Sequence, residues 1–190
     1  MDLKGRIQGI FRIMGLAFIL WTLLLNPAWA GNLPSTGSTL PPLLLEPPAS
    51  REESQYLGIK IGEKFFLAQV NSRFVLVEII GVYCPVCQAQ APLFNQLFRR
   101  IQKDFTLAKK VKMLAVAVGA TPMEVSYLKQ EQKISFPIIK DPTFTIHKIL
   151  GEPKTPLTML VNIEGKVFFI HQGAVEDFES LWLQIKNSIQ

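Results

Sequence analysis

The chain has 190 residues, 48% of them apolar and 18% charged, which is enough to bury one core and far from a disordered composition. The formal net charge of +5 comes without a clustered basic stripe, so nothing points to nucleic acid as a partner. The two cysteines stand two residues apart. That excludes a framework of long-loop disulfides, because so short a cross-link hardly restricts the unfolded chain.

Residues 1–30 have the pattern of an export signal. Lys4, Arg6 and Arg12 form a basic leader, Ile13 to Leu25 is apolar except for Thr22, and Ala28-Trp29-Ala30 is a small-x-small cleavage site before Gly31. The apolar run is shorter than the roughly 20 residues that span a bilayer, which favours a cleaved signal peptide over an uncleaved anchor. In the anchor reading, membrane contact is made only through this segment. Both readings place the body of the protein outside the cytoplasm, in a periplasmic or other extracytoplasmic space. No cysteine lies near the cleavage point, which argues against a lipoprotein. Residues 31–55 carry Pro34, Pro41, Pro42, Pro47 and Pro48 among Ser, Thr and Gly and read as an extended linker. Leu43-Leu44-Leu45 offers an apolar patch that could dock on the domain or on a partner, but the composition favours exposed chain.

The remaining stretch, 56–190, reads as one domain. Lys64–Val70 and Arg73–Ile80 are predicted strands, the second apolar enough to be buried on both faces. A helix follows to about Phe105, with Phe94, Leu97, Phe98, Ile101 and Phe105 on one face. Lys112–Val118 is a further buried strand, and Pro122 opens a helix to about Gln132. Phe136–Ile139 is a short strand, and Pro142–Leu150 a short helix ended by Gly151. Leu157–Ile163 and Lys166–His171 form a hairpin over Glu164-Gly165. The last helix carries Phe178, Leu181, Trp182, Ile185 and Ile189 on one face. Alternating strands and helices closed by a hairpin and a helix predict an α/β fold around a mixed sheet flanked by helices.

The chemistry is concentrated where the buried strand meets the helix, in Gly81-Val82-Tyr83-Cys84-Pro85-Val86-Cys87-Gln88. Cys84 falls at the helix N-cap, where free backbone N–H groups and the helix dipole stabilise a thiolate. Pro85 fits the first helical position. Cys87 lies one turn further in, placed to attack a mixed disulfide on Cys84, so Cys84 is expected as nucleophile and Cys87 as resolving thiol. Haem attachment would need His at position 88, which is Gln. Structural zinc would need further ligands, and the chain has only His147 and His171. Both read as surface or edge residues. Two thiolates with a remote His could still carry copper. Glu78 is a carboxyl in an otherwise apolar strand, costly to bury without a task or partner. The plain alternative is a strand-end Glu reaching water or pairing with a Lys such as Lys112.

Phe74 to Leu97 resembles the active-site region of thioredoxins: an apolar strand, an aromatic before the first Cys, CxxC, and Pro92 five residues after the second Cys. Thr155-Pro156-Leu157-Thr158 before a strand, hairpin and terminal helix is similar to their cis-proline region. The elements between Lys112 and Leu150 resemble the exported, TlpA-like and redoxin-like branch of the superfamily. The resemblance covers about residues 56–190. It implies a thioredoxin-like fold with an N-terminal β extension and a βα insertion before a cis Pro156, and an enzyme exchanging thiols and disulfides. Its redox-active disulfide would join Cys84 and Cys87. Glu78 would take and return the proton of the second Cys, while Thr155, Pro156 and Tyr83 would meet the substrate. Protein thiols and disulfides would be substrates, a membrane protein would donate electrons, and neither cofactor nor metal is implied. Three departures stand out: Tyr83 replaces the usual Trp, Pro85-Val86 matches neither the Gly-Pro of thioredoxin nor the Pro-His of DsbA, and Gly81 stands where peroxiredoxins place Thr. Val86 gives a thiolate no charge or hydrogen bond, so a reductant is favoured over an oxidant. A copper-handling module using the same cysteines is the alternative.

Overall fold

The computed structural model describes residues 32–189, so the expected targeting segment, residues 1–30, lies outside the described residues. Residues 32–55 do not form the expected exposed linker. Leu40, Leu43 and Leu45 are buried, β1 (Leu44–Leu45) is followed by α1 (Arg51–Leu57), and β1 pairs antiparallel with β2 (Phe65–Phe66). Ser50 caps α1 by accepting from the Glu53 N–H, and Gly58 at φ 69° ends it in the left-handed region, where a Cβ is unwelcome. Glu53 forms an ion pair with Lys129. The reason for the difference is burial: each enclosed leucine contributes about 1.5–3 kcal/mol, enough to hold a proline-rich chain that has little regular structure of its own.

The second predicted strand exists over its expected length, but the first is cut short. After β2 the chain turns into one turn of 3₁₀ helix, Leu67–Gln69, because the Gln69 side chain accepts the Phe66 N–H at 2.7 Å. The chain then continues through β3 (Phe74–Gly81), α2 (Pro85–Lys103), α3 (Phe105–Lys110), β4 (Val111–Val118), α4 (Pro122–Gln130), β5 (Ile138–Asp141), α5 (Thr145–Ile149), β6 (Leu157–Asn162), β7 (Val167–Gln172) and α6 (Phe178–Ile189). The expected helix to Phe105 is thus two helices. Asp104 Oδ1 accepts the Thr106 and Leu107 N–H groups and starts α3, leaving Phe105 74% exposed instead of on the core face.

The main sheet has the order β5-β4-β3-β6-β7. β3, β4 and β5 run parallel, while β6 and β7 are antiparallel to their neighbours. β3 lies at the centre. Its Phe74, Leu76 and Ile80 pack into a core with Phe94, Leu97 and Ile101 of α2 and with Leu181 and Ile185 of α6. Val75, Val77 and Ile79 alternate to the other face and meet Leu43, Leu45, Leu57 and Ile146. Every strand end that matters to the chemistry therefore falls at one edge, where β3 stops at Gly81 and β6 starts at Leu157, opposite Ile79.

Because Leu45 is only 1% exposed, Leu45→Ala is expected to destabilise the protein by about 2–5 kcal/mol in urea denaturation. A change within about 0.5 kcal/mol would mean that this segment contributes nothing to the core.

Candidate active site

Cys84 is the N-cap of α2, with extended backbone (φ −82°, ψ 110°), and Pro85 occupies the first turn. Its Sγ accepts the Cys87 N–H at 3.2 Å, one of the N–H groups a helix start leaves without a carbonyl. On its other side Sγ lies 3.6 Å from the Thr155 carbonyl oxygen. The Thr155–Pro156 peptide bond is cis. Gly81 permits this convergence: a Cβ there would stand 3.2 Å from Cys84 Cβ and 3.3 Å from Thr155 Oγ1. A glycine ending a buried strand is the sequence sign of such a close approach.

The two thiols are chemically unequal. Partial burial alone would raise Cys84, but hydrogen bonds from Cys87, Thr155 and the backbone at positions 86 and 87 outweigh it and hold the thiol below its ordinary value. Cys87, on the inner face of α2, is buried against the core, and burial, with the hydrogen bond to Cys84, pushes it up to about 12. Both cysteines are free thiols.

Glu78 is fully buried in β3, on the same strand face as Leu76 and Ile80 and hence on the core side that also holds Cys87. It neither reaches water nor meets Lys112, whose ammonium lies over the Tyr56 ring at 4.6 Å. One carboxyl oxygen accepts from the Thr158 hydroxyl at 2.8 Å, across the β3–β6 pair, and the other has no partner. Burial raises its pKa well above the carboxyl range, and the Thr158 bond only partly opposes this. Tyr83 is 77% exposed next to Cys84, and its hydroxyl donates to Glu124 at 2.9 Å. The sequence reading missed Glu124, although Thr121-Pro122-Met123-Glu124 is a capping-box pattern. His147 and His171 each have Nε2 3.0 Å from a backbone carbonyl, of Pro153 and Ala174 respectively. Among the described residues no group of three or more His, Cys, Asp and Glu side chains could hold a metal.

Residues 48–181 match the Redoxin family model. The chain belongs to the Redoxin family. Similar proteins include the thiol-disulfide oxidoreductase ResA of Halalkalibacterium halodurans, 26% identical over 63% of this chain and 68% of that one. ResA of Geobacillus thermodenitrificans is 25% identical over 87% of this chain and 86% of its own length. Among solved structures, a thiol:disulfide interchange protein DsbE from Chlorobium tepidum superposes with a TM-score of 0.65 at 21% identity, covering 84% of this chain and all of that one. This redoxin is a thiol–disulfide oxidoreductase with the thioredoxin-like fold.

The redoxin's buried carboxyl has a pH signature. Its folded pKa is raised above the unfolded one, so its contribution to stability is fully present below the unfolded value and is lost as pH rises through the folded value. Glu78→Gln keeps an acceptor for Thr158 and removes the ionisation. The variant is expected to gain on the wild type by about 1.4 kcal/mol per pH unit above the ordinary carboxyl pKa, until the folded value is passed. Denaturation midpoints measured from pH 4 to 8 check this, and a gap independent of pH would contradict it.

Proposed function

We propose that this redoxin carries out dithiol–disulfide exchange on exported proteins, with Cys84 attacking and Cys87 resolving. One observation carries the reading: the helix-start N–H of Cys87 points at Cys84 Sγ while the Cys87 thiol itself is buried. The Cys84 thiolate attacks one sulfur of a substrate disulfide. A Cys84–substrate disulfide forms and the other substrate sulfur leaves as a thiolate, which takes up a proton. Cys87 then gives up its proton and attacks Cys84 Sγ. The mixed bond breaks, the substrate departs reduced, and the Cys84–Cys87 disulfide holds the oxidising equivalents until a membrane electron donor returns two electrons.

The second step needs a proton acceptor in an apolar place, because a buried thiol resists ionisation. Glu78, on the same face and with one oxygen unpartnered, fills that role. The Thr155 carbonyl beside Cys84, just before β6, is the main-chain group that an extended substrate would pair with, and Tyr83 and Pro156 are the chain neighbours of Cys84 and Thr155. The reducing direction is favoured by Val86, which adds neither charge nor hydrogen bond to the Cys84 thiolate. The basic and apolar leader with Ala28-Trp29-Ala30 supports export and, as the favoured form, a cleaved signal peptide.

With dithiothreitol as donor, the protein is expected to reduce insulin disulfides, Cys84→Ser to abolish this, and Cys87→Ser to accumulate a mixed disulfide on Cys84. Glu78→Gln is expected to leave attack nearly intact and slow resolution by about 10²-fold, the low end for a general base, in rapid-mixing kinetics. Tight Cu(I) binding with no exchange toward insulin or glutathione disulfide would replace this reading with copper carriage by Cys84 and Cys87.

A further inference from the structure

The side chain preceding the nucleophile is held by a residue 41 positions away. Glu124 Oε1 accepts the Tyr83 hydroxyl at 2.9 Å, and Oε2 accepts both the N–H and the hydroxyl of Thr121, each at 2.8 Å. An exposed carboxylate usually spends its acceptor capacity on water, whereas this one has three protein donors, fixed by the start of α4. Around it the surface is unusually apolar for solvent: Met123 is 81% exposed, with Tyr127 exposed one turn further along α4 and Val86 beside Cys84. Tyr83 is the member of this group that adjoins the reactive sulfur in sequence.

Resting on the exchange reading above, we propose that Glu124 is a positioning residue that latches Tyr83, so that Tyr83, Met123 and Tyr127 form a fixed shelf for apolar side chains flanking the disulfide of a polypeptide substrate. The physical effect is preorganisation. A free aromatic side chain must be ordered when substrate binds, and that loss is charged to binding; a latched one has been ordered by folding. The chemistry at Cys84 Sγ is untouched, so the effect falls on KM and not on kcat. A small disulfide that covers only the sulfur does not reach the shelf. The latch has its own spectroscopic mark: the hydrogen bond and charge of Glu124 raise the Tyr83 phenol pKa.

The test compares wild type, Tyr83→Phe, Glu124→Ala and the double variant on insulin and on hydroxyethyl disulfide, with tyrosine ionisation followed by ultraviolet absorbance. Either single change is expected to raise KM for insulin about three- to tenfold, the cost of ordering one side chain, and Glu124→Ala to leave kcat and the small disulfide unaffected. The double variant should be no worse than the singles, and Glu124→Ala should lower the Tyr83 titration midpoint. Glu131→Ala, which removes an exposed carboxylate from the far end of α4, should change neither KM nor the titration. An unshifted titration with unchanged insulin KM in both single variants, or additive losses in the double, would overturn the latch. A wild type inactive on both disulfides would instead remove the exchange reading and the shelf's role with it; a shifted titration with unchanged KM would remove the shelf alone.

Discussion

The backbone N–H groups left over at the start of α2 set the character of the site. A helix cannot satisfy its first donors internally, and here one of them is given to the sulfur of Cys84. The same turn that exposes Cys84 to this field carries Cys87 inward against the core. A three-residue spacing on a helix thus separates two identical side chains into a stabilised thiolate and a suppressed one. The remaining features serve to hold that turn in place. β3, buried on both faces, fixes where the helix begins, and β6 brings Thr155 against the sulfur from the antiparallel side.

Placing a carboxyl in the most buried strand of the molecule runs against the stability of the core. Glu78 has one hydrogen bond and one bare oxygen. The Thr158 hydroxyl ties it to β6, the strand that also delivers Thr155 and Pro156. In the proposed mechanism, proton acceptor and substrate-facing segment would therefore be joined through a single pair of neighbouring strands. Such a concession in a core is the kind of local inconsistency that functional sites show.

The central strand, the helix start and the cysteines were legible because each is written locally: a run of apolar residues, a Pro at the first helical position, a CxxC. What was lost depends on tertiary burial or on a single cap. Leu40, Leu43 and Leu45 sit among prolines, and no periodicity shows that they enter the core. Phe105 continues the helical spacing of α2, yet Asp104 restarts the helix and turns Phe105 to solvent. Phe65 and Leu67 alternate as in a strand, but the Gln69 side chain closes a 3₁₀ turn instead. At the site, Glu124 was readable as a cap; its second partner, Tyr83, was not, because the contact joins distant elements. Glu78 was singled out from its apolar neighbours, while its bond to Thr158 required the strand register.

The inequality of the two thiols underlies every role assigned to the site. Alkylation of the reduced protein with iodoacetamide across a pH series, with each site followed by peptide mass spectrometry, measures it residue by residue. Cys84 should react first near neutral pH, with a midpoint below the ordinary thiol value, while Cys87 stays unmodified until the pH approaches about 12. Preferential labelling of Cys87, or a shared midpoint for both, would contradict the assignment of roles.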